Sequence, residues 1–251
     1  MALANAVLER TQTVTNGHRQ SVVLREVLPP LENGDRLTRA EFERRYNAMP
    51  EHLKAELIEG EVHMASPVRY RSHGRPHSRM TSLLTSYADA TPNTDCVADV
   101  TFRMDEDNEP QPDVALFIEP EAGGQPQVAA DDILEAAPEL IVEVSASTVS
   151  VDLHKKLNIY RRNGVREYLV WRVLDQAFDW FYWDAGQYIR QQPDAKGILR
   201  SRVFPGLWLN VKALLKGEAK QVWDTLQQGL ASKEHAAFVK QLKAKRRGKS
   251  K

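Results

Sequence analysis

Disulfide chemistry is the first thing this chain lacks. Cys96 is the sole cysteine among 251 residues, which excludes an intramolecular disulfide and a cysteine-based zinc site and fits a reducing compartment. Net charge is missing too. Lys and Arg total 34 and Asp and Glu total 34, so no global field draws the chain to nucleic acid, and any basic surface must be local. Neither a bilayer-length apolar run nor a signal-peptide core is present, and no membrane is expected as a partner; the cytoplasm is the expected location. Repeats and low-complexity tracts are absent. What is there is 42% apolar residues, enough for the core of one large domain with tails or of two small ones, of which the single domain is expected.

Residues 1–35 have weak periodicity and the break Leu28-Pro29-Pro30-Leu31, followed by Asn33-Gly34-Asp35, and read as an arm or linker into a domain over residues 36–215. Thr38 and Glu41 have capping-box spacing ahead of a helix with Phe42 and Tyr46. AELIEGEVHMAS reads as a hairpin turning at Gly60, Met80, Leu83, Leu84 and Tyr87 as one face of a helix, and CVADVTFRM as an alternating strand. The acids over residues 105–109 lack the loop spacing of an EF-hand and read as a solvated turn. FDWFYWD and QYIRQQ predict an aromatic hairpin turning at Ala185-Gly186, its rings packed on a sheet. Residues 216–251 hold an amphipathic helix through Val222, Trp223, Leu226 and Leu230, and then a tail in which every charged residue over 240–251 is basic.

The chemistry concentrates in residues 110–171. PQPDVALFI opens on a proline, tolerated at the first position of a strand, and Asp113 precedes its apolar run. In the strand PELIVEVS, Glu143 interrupts an apolar run, a costly burial unless the carboxylate is paired, hydrogen-bonded or bound to a metal. VDLHKKLNIYRRNGV predicts a helix ended by Gly164, with Leu153, Leu157, Ile159 and Tyr160 on one face and Lys156 in its middle. Asp152 suits the N-terminus of that helix as cap and dipole partner, and its spacing allows a pair with Lys156. REYLVWRV is again a strand. Strand, helix and strand in succession predict a right-handed parallel crossover, which brings Asp113, Glu143 and Lys156 beside one sheet. On spacing alone, an ordinary buried ion-pair network is the favoured account of them.

Taken together, Glu56-Leu57-Ile58-Glu59-Gly60-Glu61, Ser66-Pro67 followed by His73, Pro112-Asp113, residues 138–145, Asp152 with Lys156 and Tyr160, and Gly164-Val165-Arg166-Glu167-Tyr168 resemble a known family. It is the Uma family, a widespread bacterial group classed as endonucleases in the PD-(D/E)xK restriction-endonuclease-like superfamily. The resemblance covers roughly residues 36–215 and implies an α/β fold with a restriction-endonuclease-like core, a central mixed β-sheet flanked by helices. It also implies metal-dependent hydrolysis of phosphodiester bonds in nucleic acid, DNA foremost, with Mg2+ as cofactor and Mn2+ as its substitute. One departure stands out: the superfamily motif places lysine two residues after the glutamate, where this chain has Ser145. The resemblance implies that the lysine has moved to the following helix, which selects Lys156, the residue the helical face reaches independently.

On this reading Asp113, Glu143 and Lys156 are catalytic, and Asp113 and Glu143 supply the hard oxygens that Mg2+ prefers. The resemblance adds Glu56 as a supplementary metal-binding acid, against the plain reading of a solvated hairpin carboxylate. His73, in an Arg- and His-rich segment over residues 67–77, matches the family pattern and stands on the substrate side. Ser145 either hydrogen-bonds water at the metal or simply ends its strand, and Tyr160 packs the helix and orients Lys156. Two other classes compete. One is a catalytically inactive nuclease-fold module that binds nucleic acid or assembles within a defence or mobile-element system. The other is a hydrolase with Ser145 as nucleophile, weakened because no G-x-S-x-G elbow surrounds it. Many superfamily nucleases are dimers, so a homodimer through the aromatic hairpin or the C-terminal helix is expected by analogy of fold.

Overall fold

Five consecutive apolar residues, Val114–Ile118, leave a strand no side for water, and in the computed structural model that strand is buried on both faces. The structure describes residues 8–16, 20–50 and 52–249, with backbone alone for 8–16, 20–27, 247 and 249. Parts of the expected arm, residues 1–7 and 17–19, and the end of the basic tail, residues 250 and 251, lie outside the described residues. Two units divide the chain: Met1–Ser66 with Glu106–Glu109, and Pro67–Asp105 with Pro110–Lys251.

In the first unit, β1 (Leu8–Asn16) pairs antiparallel with β2 (Gln20–Leu28), so part of the stretch expected as an arm is a hairpin. Helix α1 (Arg39–Tyr46) follows, with the Thr38 hydroxyl accepting the Glu41 N–H at 3.4 Å. β3 (Ala55–Ile58) and β4 (Glu61–Met64) then turn tightly through Glu59 and Gly60, at φ 53° and 71°. Leu31, Phe42, Ala55, Leu57 and Val62 form the core. The acidic turn is solvated only in part, with Glu106 and Asp107 exposed as expected. Leu57 and Glu109 exchange backbone hydrogen bonds, the Asn108 side chain accepts the Glu59 N–H at 2.8 Å, and Asn108 and Glu109 are buried. Backbone pairing, which composition does not report, draws these polar residues inward.

In the second unit the chain runs through α2 (Arg75–Asp89), β5 (Thr94–Ala98), β6 (Phe102–Arg103), β7 (Val114–Ile118), β8 (Gln127–Val128), β9 (Leu134–Glu135) and β10 (Leu140–Ser145). It continues with α3 (Leu157–Arg162), β11 (Glu167–Arg172), β12 (Ala177–Asp184), β13 (Gln187–Arg190), β14 (Ile198–Arg200), β15 (Trp208–Asn210), α4 (Val211–Lys216), α5 (Ala219–Leu230) and α6 (Lys233–Lys249). The central sheet has the order β13-β12-β11-β10-β7-β5. It is mixed: β10 and β11 are parallel and every other pair is antiparallel. Val114, Leu116, Leu140 and Val142 face a core shared with Met80, Leu84 and Tyr87 of α2 and with Val222, Leu226, Phe238 and Leu242 of the C-terminal helices. Ala115 and Phe117 face the other side, against Phe102 and Leu134. No helix of the described residues is long and apolar enough to cross a membrane.

Glu167, wholly buried at the start of β11, ties the sheet to the turn after β14. Its carboxyl receives the Ser201 hydroxyl at 2.5 Å and the Arg202 N–H at 2.7 Å. Burial pushes that carboxyl up from 4.5 to about 7 against the pull of these bonds. A carboxyl raised on folding contributes stability that is complete below its unfolded value and lost as the pH climbs through its folded one. Glu167→Gln keeps an acceptor for Arg202 and carries no charge. It is expected to match the wild type near pH 4.5 and to exceed it above pH 7 by on the order of 3 kcal/mol. Urea midpoints across that range test this, and equal pH slopes in the two proteins would refute it.

Candidate active site

Asp113 stands where the β7/β10 ladder ends. The antiparallel register runs Leu140↔Leu116, Ile141↔Ala115, Val142↔Val114. Asp113 comes immediately before Val114, just beyond the last pair of that ladder. There the carboxylate replaces the backbone as acceptor, with Asp113 Oδ2 2.6 Å from the Val144 N–H.

Two histidines close on Asp113. Tyr70–Gly74 is a π-helical turn in which the N–H groups of Gly74 and Arg75 donate to carbonyls five residues back. It aims His73 at the strand ends: Nε2 lies 3.3 Å from Asp113 Oδ1 and Nδ1 lies 3.1 Å from the Val144 carbonyl. A carboxylate and a carbonyl only accept, so both ring nitrogens carry hydrogen and the ring is an imidazolium. The hydrogen bond that its Nε2–H donates to Asp113 holds His73 above its ordinary 6.5, outweighing burial. For Asp113 burial acts upward, but His73, the Val144 N–H and the charge of Lys156 together hold the carboxyl below 3.8. His77, one turn into α2 and stacked on His73 at 5.6 Å, places Nε2 2.8 Å from the Asp113 carbonyl and 3.8 Å from Asp99 Oδ2.

Glu143 is 4% exposed and Lys156 6%. Lys156 Nζ donates to Glu143 Oε1 at 3.0 Å, and the Tyr160 hydroxyl donates to the same oxygen at 2.7 Å. The helix that carries both begins in a second π-helical stretch, Val151–Lys156, where the Leu157 N–H donates to the Asp152 carbonyl. Its wider turn shifts the buried face, so Asp152, Lys156, Ile159 and Tyr160 are inside while Leu153 and Leu157 are half-buried. Asp152 is therefore not the expected cap. The N-cap position is Ser150, and Asp152 accepts the Thr148 hydroxyl at 2.6 Å while its carbonyl accepts the Tyr168 hydroxyl at 3.0 Å. Ser145 is fully buried, its Oγ 3.5 Å from Thr148 Oγ1, which suits a strand end and gives a nucleophile no access.

Asp113, Glu143, Lys156, His73, Tyr160 and Ser145 thus gather around the end of β10. Glu56 lies on β3 in the first unit, half-buried and opposite His63 in the hairpin register. Neither His77 nor Asp99 was singled out from the sequence. The expected single strand over CVADVTFRM breaks at Asp99, which adopts φ 57° and donates its N–H to the Asp113 carbonyl at 3.3 Å. Asp99 falls on the polar phase of the alternation, with Thr101 and Arg103, so nothing local signals it.

The charges balance, two carboxylates facing an ammonium and an imidazolium. Asp113 and Glu143 offer hard oxygens: each Asp113 oxygen accepts one hydrogen bond and keeps a lone pair, whereas Glu143 Oε1 accepts two, which leaves Oε2 as its ligand atom. Among the described residues, His77, Asp99 and Asp113 each present a ligand atom within 4.8 Å of the others. These donors fit a divalent ion.

Residues 39–212 match the family described as "Uma2: Putative restriction endonuclease". No curated protein matches the chain. A solved structure with a similar fold is that of "a putative nuclease belonging to DUF820" from Anabaena variabilis ATCC 29413. It is 14% identical, with a TM-score of 0.50 over 73% of this chain and 97% of that one.

Proposed function

The chain belongs to the Uma2 family, and from that premise we propose that it is a metal-dependent endonuclease hydrolysing phosphodiester bonds in DNA, with Asp113, Glu143 and Lys156 as its catalytic set. One observation supports this above the rest. Two acids and a lysine meet where β7 and β10 end, and two of them break the packing rules of their own elements: Glu143 in an apolar strand and Lys156 on a buried helix face. Such conflicts concentrate at functional sites.

Asp113 and Glu143 would hold Mg2+, with Mn2+ as substitute. The ion, when bound, supplies neutralisation of phosphate charge and activation of water. The chain's own groups do the rest. Lys156 places a fixed positive charge where negative charge develops, and costs no reorganisation because Glu143 and the surrounding core already hold it. Tyr160 fixes the Glu143 oxygen that faces Lys156. His73 locks Asp113 and offers its imidazolium to a phosphate on the substrate side. Ser145 supports the site by ending β10 against Thr148. A cytoplasmic homodimer completes the proposal.

The test is nicking of supercoiled plasmid by the purified chain. Conversion to open circles with Mg2+ or Mn2+, abolished by EDTA, is the expected result. Plasmid binding without scission in either ion would replace this reading with that of a non-catalytic nuclease-fold module.

A further inference from the structure

His77 and Asp99 are not needed for the chemistry assigned above, yet both converge on Asp113. We infer that His77 Nε2, Asp99 and Asp113 form a second cation position, selective for a first-row transition ion over Mg2+, that shares Asp113 with the Asp113 and Glu143 position. The inference extends the nuclease reading by naming the ion its site admits, but binding at the cluster does not depend on cleavage.

The spacing carries the argument. Ligands about 2.1 Å from an octahedral ion stand about 3.0 Å apart when adjacent and about 4.2 Å apart when opposite. His77 Nε2 lies 2.8 Å from the Asp113 carbonyl oxygen and 3.8 Å from Asp99 Oδ2. The side-chain ligand atoms of all three residues fall within 4.8 Å. Shifts of under about 1 Å would bring one nitrogen and two carboxylate oxygens onto a single ion, with the Asp113 carbonyl as a fourth donor. His77 already directs Nε2 at this point from the first turns of α2, and the left-handed turn at Asp99 holds its carboxylate alongside. Facing the Asp113 carbonyl, Nε2 carries the ring hydrogen; an ion binds there once that hydrogen stands on Nδ1 instead, which frees the Nε2 lone pair.

The donor set decides the ion. Mg2+ takes oxygen and dehydrates reluctantly, whereas an imidazole nitrogen beside carboxylates draws first-row transition ions, zinc, iron and nickel more tightly than manganese. Asp99 is exposed and His77 half-buried, so the position opens to solvent and to an arriving ion.

Pulsed EPR and calorimetry with Mn2+ on the full chain test the inference. The wild type is expected to show nitrogen hyperfine coupling to bound Mn2+. His77→Gln should remove that coupling and, like Asp99→Asn, weaken one Mn2+ site by at least about tenfold. His73→Gln and Glu143→Gln should both retain the coupling, which separates this position from its neighbours. A wild type without nitrogen coupling, or coupling unchanged in His77→Gln with circular dichroism showing both proteins folded, would overturn the inference. Coupling in a protein that nicks no plasmid would support the cation position while ending the nuclease reading.

Discussion

Asp113→Asn is expected to reduce plasmid nicking by about 10²-fold or more, the scale of losing one charge-stabilising group from an active site, while the fold survives. The fold survives because asparagine is isosteric. Its carbonyl oxygen still accepts the Val144 N–H, now made to Oδ2 at 2.6 Å, and its amide reaches the His73 side. What disappears is the charge that holds an ion and keeps His73 protonated. His73 stands above 6.5 chiefly through Asp113, so in the variant its titration should move down, a change that NMR of the ring protons reads independently of activity. The linkage has a definite sign. His73, raised on folding, contributes stability present below 6.5 and lost as the pH rises through its folded value. Asp113, lowered on folding, contributes stability present above 3.8 and lost as the pH falls through its folded value. The wild type should therefore exceed Asp113→Asn in stability most clearly between those limits, as urea midpoints near pH 5 would register. Undiminished nicking by the variant would remove Asp113 from the mechanism, and an unmoved His73 titration would break the pairing.

Strands whose polar residues interrupt an apolar run were legible because the interruption itself is information. Asp113 before Val114, Glu143 within β10 and the two-residue turn at Ala185-Gly186 all follow from period and turn chemistry. Of the β12 rings, Phe178 and Trp180 are buried as expected, whereas Trp183 is exposed. Features made by hydrogen bonds between distant segments were not legible. Nothing local in RYRSHGRPH says that His73 will reach Val144, 71 residues on, or that His77 will reach the carbonyl of Asp113. The same holds for Asn108, buried by its bond to Glu59 N–H across 49 residues. The π-helical start of the α3 segment is a subtler case. A period of about 100° per residue finds Lys156 correctly but assigns Leu153 and Leu157 too much burial, because the wider turn follows from backbone bonding that residue types do not encode.

Lys156→Met should cost more in stability than any surface change, about 3–5 kcal/mol, and should also cripple cleavage. The reason is asymmetric. Lys156 and Glu143 are both nearly inaccessible, with 3.0 Å between Nζ and Oε1, so each has given up water for the other. Methionine matches the lysine stem in volume and packs beside Ile159 and Tyr160, but leaves the Glu143 carboxylate buried without that counter-charge. The double variant Glu143→Gln with Lys156→Met removes both charges, and a well-packed neutral pair is often as stable as the ion pair it replaces. Glutamine still accepts the Tyr160 hydroxyl. The double variant is therefore expected to regain most of the lost stability and none of the cleavage. That divergence separates the two roles of the pair, since a purely structural salt bridge would let stability and activity return together. Chemical denaturation of the wild type, both single variants and the double variant closes the thermodynamic cycle, with nicking measured on the same samples. A coupling energy near zero would mean that the ammonium and the carboxylate do not depend on each other. Recovered nicking in the double variant would mean that neither charge takes part in the chemistry.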